Sequence, residues 1–243
     1  MLRTLVVAIT FLTRVPITLR EVRDADFGHA VAWFPLVGLM LGAVLAGAAH
    51  AGRGHVSIEL LALGLVTLLA VLTGGLHLDG IADVFDGLAG GRGDRERTLA
   101  IMRDSRIGAF GAAALTLVLL AKLLSIVELE RRDMTWALLA FPVAARFAVC
   151  PLVVCFPYAR KDGLGKAFNG HARLAHLVIA TCTTSAVLAL AGPHALAPAL
   201  AAFATAIALA VWLQRRLGGL TGDVYGAAIE LAELAFLIVA TSR

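Results

Sequence analysis

Charge is scarce in this chain. Asp, Glu, Lys and Arg make up 16% of it, against 60% hydrophobic residues and a mean hydropathy of +0.87. A soluble domain is about a quarter charged, so the composition excludes an ordinary soluble globular protein. Cysteine is scarce too. Cys150, Cys155 and Cys182 lie in apolar segments without a CxxC pair. That excludes a disulfide framework and a thiolate metal centre and leaves three small core residues. No small-residue cleavage site follows the apolar start, so Met1–Thr13 is not expected to be a cleaved signal. No internal repeat and no low-complexity linker divides the 243 residues. The expected fold is all-α: a single integral membrane domain over residues 1–243, a polytopic helical bundle of about seven spans, within a range of six to eight.

The apolar runs that are present place those spans at residues 30–49, 56–76, 109–127, 135–156, 174–191, 195–213 and 224–240. Leu2–Leu12 is too short to cross and reads as an interfacial or re-entrant helix. With a cytoplasmic N-terminus and seven spans, fifteen of the 21 Lys and Arg fall on the cytoplasmic side. They are Arg3, Arg14, Arg20 and Arg23, the five arginines from Arg92 to Arg106, Arg160, Lys161, Lys166 and Arg173, and Arg215 and Arg216. Arg53, Arg131, Arg132 and Arg243 fall outside, and Lys122 and Arg146 lie within spans. This is the positive-inside bias, and it puts every polar motif on the cytoplasmic side.

Against so apolar a background the stretch Gly74–Gly108 stands out. It holds six of the seventeen carboxylates, His77 and the arginines Arg92, Arg95, Arg97, Arg103 and Arg106. Asp79, Asp83 and Asp86 are spaced i, i+4, i+7, within about 60° of one another on a helix. No Lys or Arg occurs between Gly74 and Gly91, whereas a solvated helix face usually interleaves them with its acids. Three like charges repel unless a cation sits among them. Hard carboxylate oxygens without a thiol suit Mg²⁺ or Mn²⁺. Asp79, Asp83 and Asp86 are therefore the expected metal ligands and catalytic carboxylates. Arg103 and Arg106, flanking Asp104 and Ser105, are expected to grip a phosphate while Asp104 assists the metal site. Lipid headgroup anchoring is the plainer reading of the same arginines, and the better one for Arg92, Arg95 and Arg97.

Two further polar segments follow. Tyr158–Asn169 sets glycines beside Arg160, Lys161 and Lys166, which lets backbone approach an anion, with Lys161 the expected contact. An ordinary cytoplasmic loop fits this segment equally. Gly218–Glu233 places Asp223, Glu230 and Glu233 on one helical face. Acids inside an apolar span usually line a cavity or meet a partner, and Arg146 is the candidate partner. His77 fits either a ligand role or an ordinary interfacial one.

The runs Phe11–Pro16, Phe34–Gly38, Gly74–Asp83, Ile101–Gly108, Asp162–Gly165 and Gly219–Asp223 resemble, in order and over nearly the whole chain, the cobalamin synthase family, the adenosylcobinamide-GDP ribazoletransferases. The resemblance implies a multi-pass enzyme of the cytoplasmic (inner) membrane, active site facing the cytoplasm. It would complete the nucleotide loop of cobalamin with Mg²⁺. The substrates it implies are a GDP-activated corrinoid and α-ribazole or its 5′-phosphate, with GMP released. The partners are these substrates and the lipid bilayer, with no nucleic acid and no set oligomeric state. Asp223 then joins Arg103, Arg106 and Lys161 in binding substrate. A CDP-alcohol phosphatidyltransferase performs similar chemistry, but that pattern fails where Asp83 follows Ala82 and the next acid is Asp86. A cation transporter lined by Asp223, Glu230 and Glu233 is the reading from another class, and no inverted repeat supports it.

Overall fold

The computed structural model describes residues 2–17, 19, 21–160 and 162–242, with the backbone alone at Leu164. Twelve α-helices occur among them. α1 (Leu2–Leu12) and α2 (Asp24–Ala30) precede α3 (Phe34–Gly52) and α4 (Ile58–Thr73). α5 (Leu76–Gly91) and α6 (Arg95–Ile101) carry the polar stretch. α7 (Ala109–Arg131), α8 (Thr135–Cys155), the short α9 (Leu164–His171), α10 (Leu174–Ala191), α11 (Leu196–Leu217) and α12 (Gly222–Thr241) follow. Pairing between extended segments is limited, among the described residues, to a parallel bridge from Tyr158 to Leu220.

Six helical stretches are long and apolar enough to cross a membrane, and the bent pair α4–α5 makes seven if counted as one broken span. The expected bundle of six to eight spans is borne out. The expected span over residues 56–76 is cut short, because α4 ends at Thr73. Gly74 (φ 63°) and Gly75 (φ 70°) both adopt the left-handed region, which glycine enters without a Cβ clash. Gly74 caps α4 and Gly75 opens α5, which leaves at 89° to it. α1 buries one stripe, Thr4, Val7, Ala8 and Leu12, against the bundle, and Arg3 ties it to Asp26 of α2 at 2.7 Å.

α8 forms the axis, with α3, α10, α11 and α12 around it. Gly38 and Gly42 of α3 let the two backbones touch. A Cβ at either would fall 2.5–2.6 Å from the carbonyls of Pro142 and Leu139. Small residues at such crossings replace the hydrophobic drive that lipid removes.

The two ends of the bundle differ. At one end Arg53 bonds Glu130 (2.8 Å) and Asp133 (2.9 Å), and Arg131 bonds Glu59 (3.1 Å). These arginines are among those assigned to the outer side. At the other end the turn before α5, the loop after α8 and the start of α12 converge.

Candidate active site

α5 and α12 meet backbone to backbone at two glycines. A Cβ at Gly80 would lie 2.5 Å from the Asp223 carbonyl, and one at Gly226 would lie 3.2 Å from the His77 Cα. This approach brings the acidic face of α5 beside the N-terminus of α12. Asp83, partly buried, then senses the charges of Asp79, Asp223, Asp86 and Arg160. Asp223 receives a hydrogen bond from Arg160 Nη2 at 2.5 Å. Arg160 is held there by the short bridge: Ala159 N donates to Leu220 O and Leu220 N to Pro157 O, each at 2.8 Å. Gly219 permits it, since a Cβ would sit 2.7 Å from the Pro157 carbonyl. Thr221 caps α12 by accepting from Val224 N.

The carboxylates that share a face in sequence do different things in space. Asp79 opens onto a cavity of about 260 Å³ that Arg160, Asp162, Asp223, Tyr158 and Tyr225 also line. Asp86 points the other way. Its carboxylate accepts from Gly108 N (2.6 Å) and Gly111 N (2.8 Å), the free amides at the start of α7. An anion there meets both unpaired N–H groups and the positive end of the helix. Asp83 lies between the two. No three His, Cys, Asp or Glu side chains are gathered about one point among the described residues.

Asp104 and Arg106, on the α6–α7 connection, form a forked ion pair with Nη2 2.6 Å from Oδ2. The hydrogen bonds from Arg106 hold the Asp104 carboxyl at about 2, so it is ionised at any physiological pH. Arg106 remains exposed, as does Arg103, whose charge reaches Tyr158. Burial pushes the Tyr158 hydroxyl above its usual range and keeps it a donor. Lys161 lies outside the described residues. Arg95, expected to be an anchor, donates from Nε to the Leu217 carbonyl at 2.6 Å and closes the end of α11.

Glu230 and Glu233 are buried away from this face. Arg146 pairs with Glu233, as the sequence suggests, and Lys122 pairs with both acids. Two buried cations face two buried anions, so both acids are paired rather than forming a line of free acids.

In the sequence Arg160 reads as one loop cation among several, and neither tyrosine carries a motif of its own. The chain has two tyrosines, 158 and 225, and both line the cavity. In a chain so poor in phenol groups, that is a signal the sequence offers.

The sequence pattern of the cobalamin-5-phosphate synthase family matches residues 4–241. An adenosylcobinamide-GDP ribazoletransferase of Geotalea daltonii is 42% identical over 241 residues, covering 98% of this chain and 96% of its own. Proteins of the same name from Pseudomonas paraeruginosa (43% over 245 residues, 98% and 97%) and Pseudomonas fluorescens (41% over 234 residues, 96% of each) agree. No solved structure matches. A family pattern and relatives that both run essentially end to end, over a helical membrane bundle with an acidic cavity at one end, carry one conclusion: this chain belongs to the cobalamin-5-phosphate synthase family.

Proposed function

We infer that the face bearing Asp79, Asp83, Asp223 and Arg160 is where this membrane enzyme completes the nucleotide loop of cobalamin. The activity is that of an adenosylcobinamide-GDP ribazoletransferase. A ribose hydroxyl of the acceptor bonds to the phosphorus nearer the corrinoid, the anhydride P–O bond breaks, and the electron pair departs with GMP. The family's description names a 5-phosphate product, which favours α-ribazole 5′-phosphate as acceptor. The observation that carries this reading is the convergence of Asp79, Arg160 and Asp223, from three separate segments, on one cavity mouth, with Asp83 close enough to feel all three charges.

Such a transfer needs its negative charge neutralised as the bond breaks. Arg160 is anchored on Asp223, and its buried Nε has no partner among the described residues. It is placed to hold a phosphate oxygen with the planar fork that suits phosphate. Arg103 and Arg106 approach from the exposed side and screen the diphosphate as it arrives. Lys161 adjoins Arg160 in the chain and joins them in this reading. Asp79 or Asp83 takes the proton of the attacking hydroxyl.

The donor set also fits Mg²⁺, which binds through one or two carboxylates together with substrate phosphates. Asp79 and Asp83 would hold it, with Asp223 across the mouth and Asp104 assisting. Asp86 is committed to α7 by both oxygens and contributes least. When bound, the ion would supply Lewis-acid stabilisation of the charge that develops on the departing GMP phosphate. In this reading the face lies in the cytoplasm and the bundle in the inner membrane, and the Lys and Arg bias supports that orientation.

The test is GMP release from adenosylcobinamide-GDP by purified protein with α-ribazole or its 5′-phosphate and Mg²⁺. Release that requires both the acceptor and the metal is expected. No release under any acceptor or metal condition overturns the reading.

A further inference from the structure

Exposure separates the cavity into a mouth and an interior. Asp79 and Asp162 at the mouth are exposed, whereas Leu12, Phe34, Val149, Val153 and Phe168 are 0–2% exposed. The rings of Phe11 and Phe168 lie 4.4 Å apart between centroids, with Phe34 at 5.7 Å from Phe168. Two polar side chains share this apolar interior. His77 is 2% and Tyr225 7% exposed. Both line the cavity, and neither His77 Nε2 nor Tyr225 Oη has a hydrogen-bond partner among the described residues. An unpaired polar atom at such depth is costly, and a ligand that pairs it recovers the loss.

Resting on the transfer reaction above, we propose that this cavity is the acceptor-nucleoside site. It takes the flat dimethylbenzimidazole base of α-ribazole, whose free ring nitrogen accepts a hydrogen bond from the Tyr225 hydroxyl. The ribose stays at the mouth beside Asp79 and Asp223. About 260 Å³ is at the small end of ligand sites and excludes a corrin macrocycle with its adenosyl group. Guanine is the other base in the reaction. Its edge presents a row of donors and acceptors that needs several polar partners. The interior offers two among aromatic and aliphatic carbon, which suits a methylated bicycle that stacks on rings and pairs once.

The experiment is steady-state GMP release by the full-length enzyme, each substrate varied in turn, for wild type and Tyr225→Phe. The variant keeps the ring and removes only the hydroxyl. We expect the KM for the acceptor to rise about tenfold, the worth of one buried hydrogen bond, with the KM for adenosylcobinamide-GDP unchanged. Thermal stability without substrate should hold or rise, because an unpaired hydroxyl is gone. An acceptor with indole in place of benzimidazole, carbon replacing the free nitrogen, should show the raised KM with wild type and no further rise with Tyr225→Phe. A rise confined to the adenosylcobinamide-GDP KM places guanine here and overturns the proposal while the transfer reading stands. Unchanged KM values for both substrates also overturn it. Wild-type enzyme that releases no GMP overturns the transfer reading itself.

Discussion

Replacing Asp86 by Asn separates two roles that its position on α5 leaves entangled. The carboxylate accepts from Gly108 N at 2.6 Å and Gly111 N at 2.8 Å. Asn keeps one acceptor oxygen, puts an N–H₂ where the second was, and removes the charge from the start of α7. An anion at a helix N-terminus contributes about 0.3–1 kcal/mol on the surface and up to about 2 when partly buried. A hydrogen bond to a charged group is worth roughly 1 kcal/mol more than a neutral one. Gly108 is exposed and Gly111 buried, so only one of the two bonds escapes solvent screening. The expected loss is about 1–2 kcal/mol. The assay is equilibrium unfolding in detergent, run once with EDTA and once with Mg²⁺. The same loss should appear in both, because the carboxylate serves the helix and not the ion. Gly111→Ala should destabilise as well, since its Cβ would fall 2.3 Å from Asp86 Oδ2 and 2.8 Å from the Ala82 carbonyl. Unchanged stability in EDTA, with loss of the stabilisation Mg²⁺ confers, would refute this reasoning and make Asp86 a metal ligand.

Asp83→Asn should lower GMP release on the order of 10²-fold or more, comparable with losing a transition-state charge stabiliser, while stability in chelator holds or rises. Near-normal turnover with an unchanged Mg²⁺ dependence would remove the acidic face from the mechanism. Lys122→Met strands Glu230 in the core and should cost on the order of 3–5 kcal/mol. Adding Glu230→Gln should restore a good part of that, and unfolding of the single and double variants gives the comparison. Reporter fusions after Gly91, Gly165 and Gly218 should report the cytoplasm, and those at residues 52–54 and at Gly192 the outer side. A periplasmic signal at Gly91 would reverse the orientation.

Composition and periodicity alone determined that this chain is a helical membrane bundle. Lipid accepts little else: every backbone polar group in hydrocarbon must be satisfied within its own segment, and the apolar runs are of crossing length. Spacing likewise placed Asp79, Asp83 and Asp86 on one helix, because i, i+4, i+7 is a local property of α5. Arg146 as partner to Glu233 was legible for a related reason. A buried acid must find a cation, and the apolar segments offered few.

What the chain could not reveal by itself was which side chains meet across helices. About two turns of α5 separate Asp79, which opens onto the cavity, from Asp86, which meets the amides of α7. That division exists only because Gly80 and Gly226 let α12 press against one flank and the α7 N-terminus sits on the other. Two successive left-handed glycines turn α5 by 89° from α4, and a hydropathy pattern that counts apolar residues carries no direction. Lys122 reads as a lone charge in a span until α7 and α12 pack and give it two carboxylates. Arg160 reads as one loop cation among several until the Tyr158–Leu220 bridge clamps it beside Asp223. For Lys122 and Arg160 the deciding contacts join residues from 63 to 111 positions apart. Sequence spacing reports one helix face at a time, and only close approach between helices decides which neighbour that face meets.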